Sequence, residues 1–257
     1  MSPGTFATTG LPASTRACLF DLDGVLTDTA KVHAAAWKEM FDGYLRARAD
    51  EGDTSFEAFD AVADYDTYVD GRSRADGTRS FLASRGIVLP EGAASSPLGA
   101  ATIAGLSDAK NAIVLRRIRK DGVEPYPGSL RYVRAVRSAG LVTAVVSSSA
   151  NCAEVLDAAG IADLFEVRVD GHDVEEQHLA GKPAPDTYLA AARLLHVEPR
   201  EAAVFEDALS GVAAGRAGAF GVIVGVDRVG QAAELRAHGA DLVVADLADL
   251  LGEDDAR

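Results

Sequence analysis

Two aspartates separated by a single leucine, Asp21 and Asp23, close a short apolar run in ACLFDLDGVLTDT. Glu206 and Asp207 close a second run, AAVFED; Ser147 and Ser148 follow LVTAVV; and Lys182 stands in GKPAPD. Carboxylates gathered at neighbouring strand ends repel one another unless a cation sits among them. Oxygen donors without histidine or cysteine suit a hard ion, and Mg2+ is the natural choice, with Asp21, Asp23, Glu206 and Asp207 as its expected ligands. In such a cluster Asp21 can serve as ligand and nucleophile, because its carboxylate sits on a turn whose amides face an incoming anion. Asp23 can offer the metal its backbone carbonyl and use its side chain for proton transfer. Gly24 lets the turn pass close to a phosphate with no side chain in the way. The metal, Lys182 and the Ser147 hydroxyl would neutralise a phosphoryl group in transit, a task of positioning and electrostatics. Attack by Asp21 would form an aspartyl-phosphate and divide one displacement into two. Taken singly, an aspartate capping a turn, a serine satisfying strand-end backbone groups and a solvated lysine explain each residue as well. It is their convergence that favours catalysis.

Elements of a particular kind must position these residues. Ala17 to Phe20 reads as a buried strand, followed by a polar turn and a helix in AKVHAAAWKEMFDGYL with Val32, Ala36 and Met40 on one face. From Arg46 to about Lys120 the segments TRSFLASRG and NAIVLRRIRK read as amphipathic helices joined by the turn-rich LPEGAASSPLGA, and no strand pattern occurs. The core of this region is expected from Phe56, Phe59, Tyr65, Tyr68, Phe81, Leu82, Ile113 and Leu115. Beyond DGVEPYPGS, apolar strands of about five residues alternate with helices that end in glycine, the pattern of a parallel sheet covered on both faces. The expected fold is α/β: a Rossmann-like parallel sheet with helices on both faces and an inserted all-helical cap. Residues 15–29 and 123–250 form the core domain and 30–122 the cap. In such a sheet ligands bind beyond the carboxyl ends of the strands, where the acids, serines and lysine fall.

Composition narrows the partners. With 25 lysines and arginines against 39 acids, the net charge of -14 disfavours nucleic acid or an anionic membrane. The basic run Arg116 to Lys120 reads as a solvated helix face. Cys18 and Cys152 have no metal or CxxC spacing and are expected as buried thiols. The first residues lack a basic segment followed by an apolar one, and no run is long enough to span a bilayer, so a cytoplasmic location is expected.

In order and spacing, DLDGVLTDT, VVSSSAN, GKPAPD and FEDALSG resemble the four motifs of the haloacid-dehalogenase-like superfamily, and the helical insertion resembles its helical-cap subclass. The resemblance runs from Arg16 to about Asp246. Within the superfamily the chain is most similar to the beta-phosphoglucomutase subfamily, which interconverts beta-glucose 1-phosphate and glucose 6-phosphate. That similarity implies substrate-binding roles for His33 and Trp37 on the first cap helix. It implies the same for Arg74 in a GxSR segment, for the pair Lys110 and Asn111, and for Ser148, Ser149 and Asn151 in the serine loop. A sugar phosphate is the implied substrate, with glucose 1,6-bisphosphate as an intermediate gripped at both ends. Two departures bear on the substrate: Ala150 stands where the subfamily has lysine, and the stretch between the first cap helix and Gly71 is longer. A sugar-phosphate phosphatase is the alternative reading. A non-catalytic protein on the same scaffold is the remote one, since no motif residue is missing.

Overall fold

Strands β1 (Ala17–Phe20), β2 (Val142–Val146), β3 (Val167–Val169), β4 (Ala202–Glu206), β5 (Val222–Val226) and β6 (Leu242–Val244) form one sheet in the order β3-β2-β1-β4-β5-β6. All pairs are parallel. The computed structural model describes residues 9–52, 55–93 and 95–252. It divides the chain into two compact units, one running to Asp28 and resuming at Val123, the other Thr29–Gly122.

The order places β1 at the centre, and every residue of β1 is fully buried, as a strand covered on both faces must be. Sequence order reverses between β1 and β4, the point in an open parallel sheet where a crevice opens at the carboxyl ends. Register does the rest. Phe20 lies opposite Val145 on one side and Phe205 on the other, so Asp21 emerges level with Val146 and Glu206. The Asp21 N–H donates to the Phe205 carbonyl at 2.9 Å, extending the ladder one step into the site. Beneath it the Phe20 and Phe205 rings stack at 4.5 Å, with Tyr132 edge-on to both. Burying each such ring contributes roughly 1.5–3 kcal/mol, enough to fix the register that delivers the carboxylates.

Helices α4 (Pro127–Ser138), α5 (Cys152–Ala159), α6 (Gly171–Glu176), α7 (Asp186–Leu194), α8 (Leu209–Ala217) and α9 (Ala232–His238) complete this unit. Pro127 opens α4, where its missing N–H costs nothing. The short α6 has no apolar period to betray it; a reciprocal cap between Asp170 and Asp173 holds it. Cys18 and Cys152 are buried free thiols, and burial pushes both thiol pKa values up.

The second unit holds α1 (Ala30–Asp50), a π-helical turn (Tyr65–Val69), α2 (Arg74–Ser84) and α3 (Ile103–Asp121), with no strand among the described residues. Its core is a set of aromatic contacts: Phe41 meets Trp37 at 5.1 Å, Phe81 at 4.2 Å and Phe59 at 5.3 Å between ring centroids. Phe59, Phe81, Leu82 and Ile113 are buried as expected, but Phe56 is exposed under the Arg46 guanidinium. Tyr65, Tyr68 and Leu115 are half-buried. The inward stripe of α3 is Ile103, Leu106, Lys110, Ile113 and Val114, and Leu115 falls off that helical period. Arg116 and Arg117 both pair with Glu39 on the surface of this unit. No helix among the described residues is long and apolar enough to cross a membrane.

Candidate active site

Lys182 is the hub of the sheet's carboxyl edge. Its ammonium donates to Asp21 Oδ1 and to Glu206 Oε1, each at 2.5 Å, and to the Val146 carbonyl at 3.2 Å. All three acceptors are at adjacent strand ends. Lys182 reaches them from the turn that precedes α7, and its Nζ lies 5.0 Å from the centre of the Tyr188 ring. Glu206, with no solvent exposure, is satisfied on both oxygens: Tyr188 OH and Lys182 donate to Oε1, and the Ala208 N–H donates to Oε2 at 3.1 Å. A buried carboxylate this well supplied is fixed in place.

Two glycines make room for the acids. A Cβ on Gly24 would collide with the Asp207 carboxylate, and one on Gly211 would collide with that of Glu206. Gly24 also has φ +86°, a conformation L side chains rarely adopt. The loop around it is tight: Gly24 N–H donates to Thr27 O, and both Leu26 and Thr27 N–H donate to Leu22 O.

Asp21, Glu206 and Asp207 each place a carboxylate oxygen within 4.8 Å of the others. Burial raises the Asp21 pKa, Lys182 pulls it down, and Glu206 and Asp23 push it up, leaving it well above the usual carboxylate range. Burial alone would lower Lys182, but Asp21 and Glu206 hold its ammonium charged. One ammonium thus faces an excess of negative charge, and an all-oxygen donor set of this size fits a divalent cation. The Asp23 side chain is outside this oxygen cluster and half-buried, on a loop bridged to Thr27.

Beyond β2 the serine loop turns on its own hydroxyls. Buried Ser147 Oγ accepts the Ser149 N–H at 3.1 Å, and Ser149 Oγ accepts the Asn151 N–H at 3.1 Å. An accepted amide leaves each hydroxyl proton available to a further acceptor. Ser148 and Ser149 are half-buried and Asn151 buried. Backbone of this loop lies where a Gly171 Cβ would stand, so the approach of Ala150 and Ser148 requires that glycine.

The helical unit collects three of its five expected residues. Lys110 Nζ lies 3.0 Å from His33 Nδ1 and 4.8 Å from the centre of a Trp37 ring, all three being buried. Arg74 is the first residue of α2, whose N-cap Ser73 accepts the Asp76 N–H, and its guanidinium reaches Asp108 at 3.9 Å. Asn111 follows Lys110 on α3 and is half-buried.

Sequence reasoning passed over Tyr188. It sits six residues after Lys182 in an alanine-rich helix, and a fully buried tyrosine must find a partner for its hydroxyl. That requirement was the available signal, although the sequence does not say which partner.

A family model described as haloacid dehalogenase-like hydrolase matches residues 15–218. The protein called beta-phosphoglucomutase in Mycobacterium tuberculosis is 58% identical over 245 residues, covering 94% of each chain. That of Bacillus subtilis is 33% identical, covering 91% of each. The crystal structure of beta-phosphoglucomutase from Clostridium difficile aligns with a TM-score of 0.73 at 26% identity, over 93% of this chain and 95% of that one. With its motif carboxylates and Lys182 drawn together at the carboxyl ends of β1 and β4, the chain belongs to the haloacid dehalogenase-like hydrolase family.

Proposed function

We propose that this protein is an Mg2+-dependent phosphoryl-transfer enzyme acting on a sugar phosphate, and that it interconverts beta-glucose 1-phosphate and glucose 6-phosphate. The observation that carries phosphoryl transfer is the Asp21 carboxylate held by Lys182 beside Glu206 and Asp207 at one strand edge. The choice of mutase rests on the 58% identical relative. Asp21, Asp207, Glu206 and the Asp23 carbonyl would hold Mg2+, which supplies positive charge to the transferring phosphoryl oxygens.

Asp21 Oδ attacks phosphorus as the bond from phosphorus to the leaving oxygen breaks, and Asp23 delivers a proton to that oxygen. In the next half-reaction Asp23 takes the proton of the attacking sugar hydroxyl, and the phosphoryl group passes from Asp21 to that oxygen. Phosphorylation of beta-glucose 1-phosphate at O6 gives glucose 1,6-bisphosphate. After the sugar reverses, transfer from O1 back to Asp21 releases glucose 6-phosphate. Lys182 opposes the effect of burial on Asp21 and orients its carboxylate, and Ser147, with Ser148, donates to the phosphoryl oxygens. Ser149, Asn151, Arg74, Lys110, Asn111, His33 and Trp37 are assigned to the sugar and its second phosphate.

Ala150 favours a second reading, a sugar-phosphate phosphatase, because it removes a cation expected to grip the bisphosphate. The two differ in whether sugar or water takes the phosphoryl group from Asp21. Enzyme incubated with Mg2+, beta-glucose 1-phosphate and a trace of glucose 1,6-bisphosphate should form glucose 6-phosphate much faster than free phosphate. Phosphate release alone, with unrelated sugar phosphates hydrolysed comparably, would replace the mutase by the phosphatase.

A further inference from the structure

The loop between β5 and α9, Asp227–Gln231, belongs to none of the four motifs, yet two of its side chains end on the backbone of the site. Arg228 Nε donates to the Gly24 carbonyl at 3.0 Å. Its Nη2 donates to Ser129 Oγ at 3.3 Å, and that hydroxyl donates to the Val25 carbonyl at 2.6 Å. One guanidinium therefore restrains two consecutive carbonyls of the loop that starts at Asp21, the first directly and the second through Ser129. Its Nη1 is anchored in turn by Ala245 O at 2.9 Å and Asp246 Oδ2 at 3.1 Å. The face of the group lies 3.8 Å from the centre of the Tyr126 ring. Three residues on, Gln231 Nε2 donates to the Asp207 carbonyl at 2.9 Å. The loop carrying them is itself pinned, since Asp227 Oδ1 accepts the N–H groups of Val229, Gly230 and Gln231.

We infer that Arg228 and Gln231 are positioning residues for the reaction. Arg228 fixes the Asp21–Asp28 loop, Gln231 fixes the backbone of Asp207, and together they set the spacing of nucleophile and metal carboxylates. This rests on the phosphoryl-transfer reading. A planar fork with fixed donors suits the task, whereas lysine has one nitrogen and cannot stack on Tyr126 while reaching both sides. Gly24 makes the consequence specific: it lies against the Asp207 carboxylate, so a shift of the loop displaces a metal ligand as well as Asp21. Misplacement of reacting groups by about 1 Å costs on the order of 100-fold in rate.

The test compares Arg228→Lys and Gln231→Leu with Arg216→Lys. Arg216 likewise clamps a carbonyl and an acid, Gly239 O and Asp241, but from the last turn of α8, away from the strand ends that carry the site. R228K is expected to lower kcat by about 10- to 100-fold with KM little changed, and to speed amide exchange at residues 22–27. Q231L is expected to weaken Mg2+ binding in a calorimetric titration. R216K should change stability without moving kcat, exchange at 22–27 or Mg2+ affinity. The inference is overturned if R228K and Q231L match R216K in all three readouts. Should R228K fail to fold, Ser129→Ala, which removes only the relay to Val25, and Q231L decide the outcome by exchange and Mg2+ affinity. A wild-type enzyme without phosphoryl transfer would defeat the phosphoryl-transfer reading, while exchange and Mg2+ titration would still judge the pinning.

Discussion

Each unit of the molecule buries a lysine, and the two are handled differently. Lys182, in the sheet unit, lies between two carboxylates and beneath a carbonyl, all at strand ends. Lys110, in the helical unit, lies against an imidazole nitrogen and an indole face, all on helices. Strand register dictates where the partners of Lys182 stand, because Asp21, Val146 and Glu206 are the next residues along paired strands. The surroundings of Lys110 depend on how α1 packs against α3, since His33 and Trp37 stand on α1 and Lys110 on α3. Ladder hydrogen bonds fix the spacing of groups on paired strands. The spacing of groups on two helices depends on the side chains packed between them.

The largest effect should come from Asp21→Asn. An amide of the same shape cannot attack phosphorus, and turnover with beta-glucose 1-phosphate should fall below about one-thousandth of wild type while the circular dichroism spectrum is unchanged. Next is a paired replacement. Lys182→Met leaves Asp21 and Glu206 facing one another in a buried site and should cost about 3–5 kcal/mol in urea denaturation. Lys110→Met removes a hydrogen bond to His33 and a contact with Trp37 and should cost about 1–2 kcal/mol. Equal losses would break the contrast between the two lysines.

Much of the sheet unit was legible because its signals are local. Apolar runs ending in acids, serines and lysine at helix-separated intervals place Asp21, Ser147, Lys182, Glu206 and Asp207 on one edge before any pairing is known. The order β3-β2-β1-β4-β5-β6 was not legible, since strand neighbours are set by packing across the whole chain. Tyr188, Gln231 and Arg228 escaped for a related reason: each acts through a contact 18, 24 or 204 residues away. In the helical unit the expectation that aromatics form the core succeeded for Phe59 and Phe81 and failed for Phe56. Hydrophobicity alone does not say which ring of an irregular segment turns inward, and Phe56 finds the Arg46 guanidinium instead.

A smaller effect tests how far Lys182 depends on its carboxylate partners alone. Tyr188→Phe keeps the ring near the ammonium and deletes only the hydroxyl that donates to Glu206. Glu206 retains Lys182 and the Ala208 N–H, so the loss should be about 1 kcal/mol by urea denaturation. A loss as large as that of K182M would mean that the tyrosine, and not the lysine, holds Glu206 in place.

The smallest effect separates the units by salt and pH. Burial alone would raise Glu166, at the edge of the sheet, but the Thr143 N–H and hydroxyl, with Arg137, hold it below the usual carboxylate range. Glu91, in the helical unit, is held low chiefly by its hydrogen bond from Arg79. A carboxylate with a folded pKa below its unfolded value near 4.3 stabilises the protein above that value. The contribution is lost as pH falls through the folded pKa. The gap between wild type and Glu166→Gln should therefore be present at pH 7, shrink as the pH falls below the unfolded value and close once it is below the folded one. It should stay under about 1 kcal/mol, because the Glu166 side chain is 41% exposed and its pairing with Arg137 is screened. Glu91→Gln should follow the same pH course. Salt then distinguishes them: the pair of Arg79 with Glu91 is exposed on both sides, and about 0.5 M NaCl should erase the E91Q gap. The E166Q gap should persist in part, since a backbone amide directed at a carboxylate is a short-range contact that mobile ions do not replace. If both gaps vanish together, the backbone of the sheet unit contributes no more to its charges than the surface of the helical unit does.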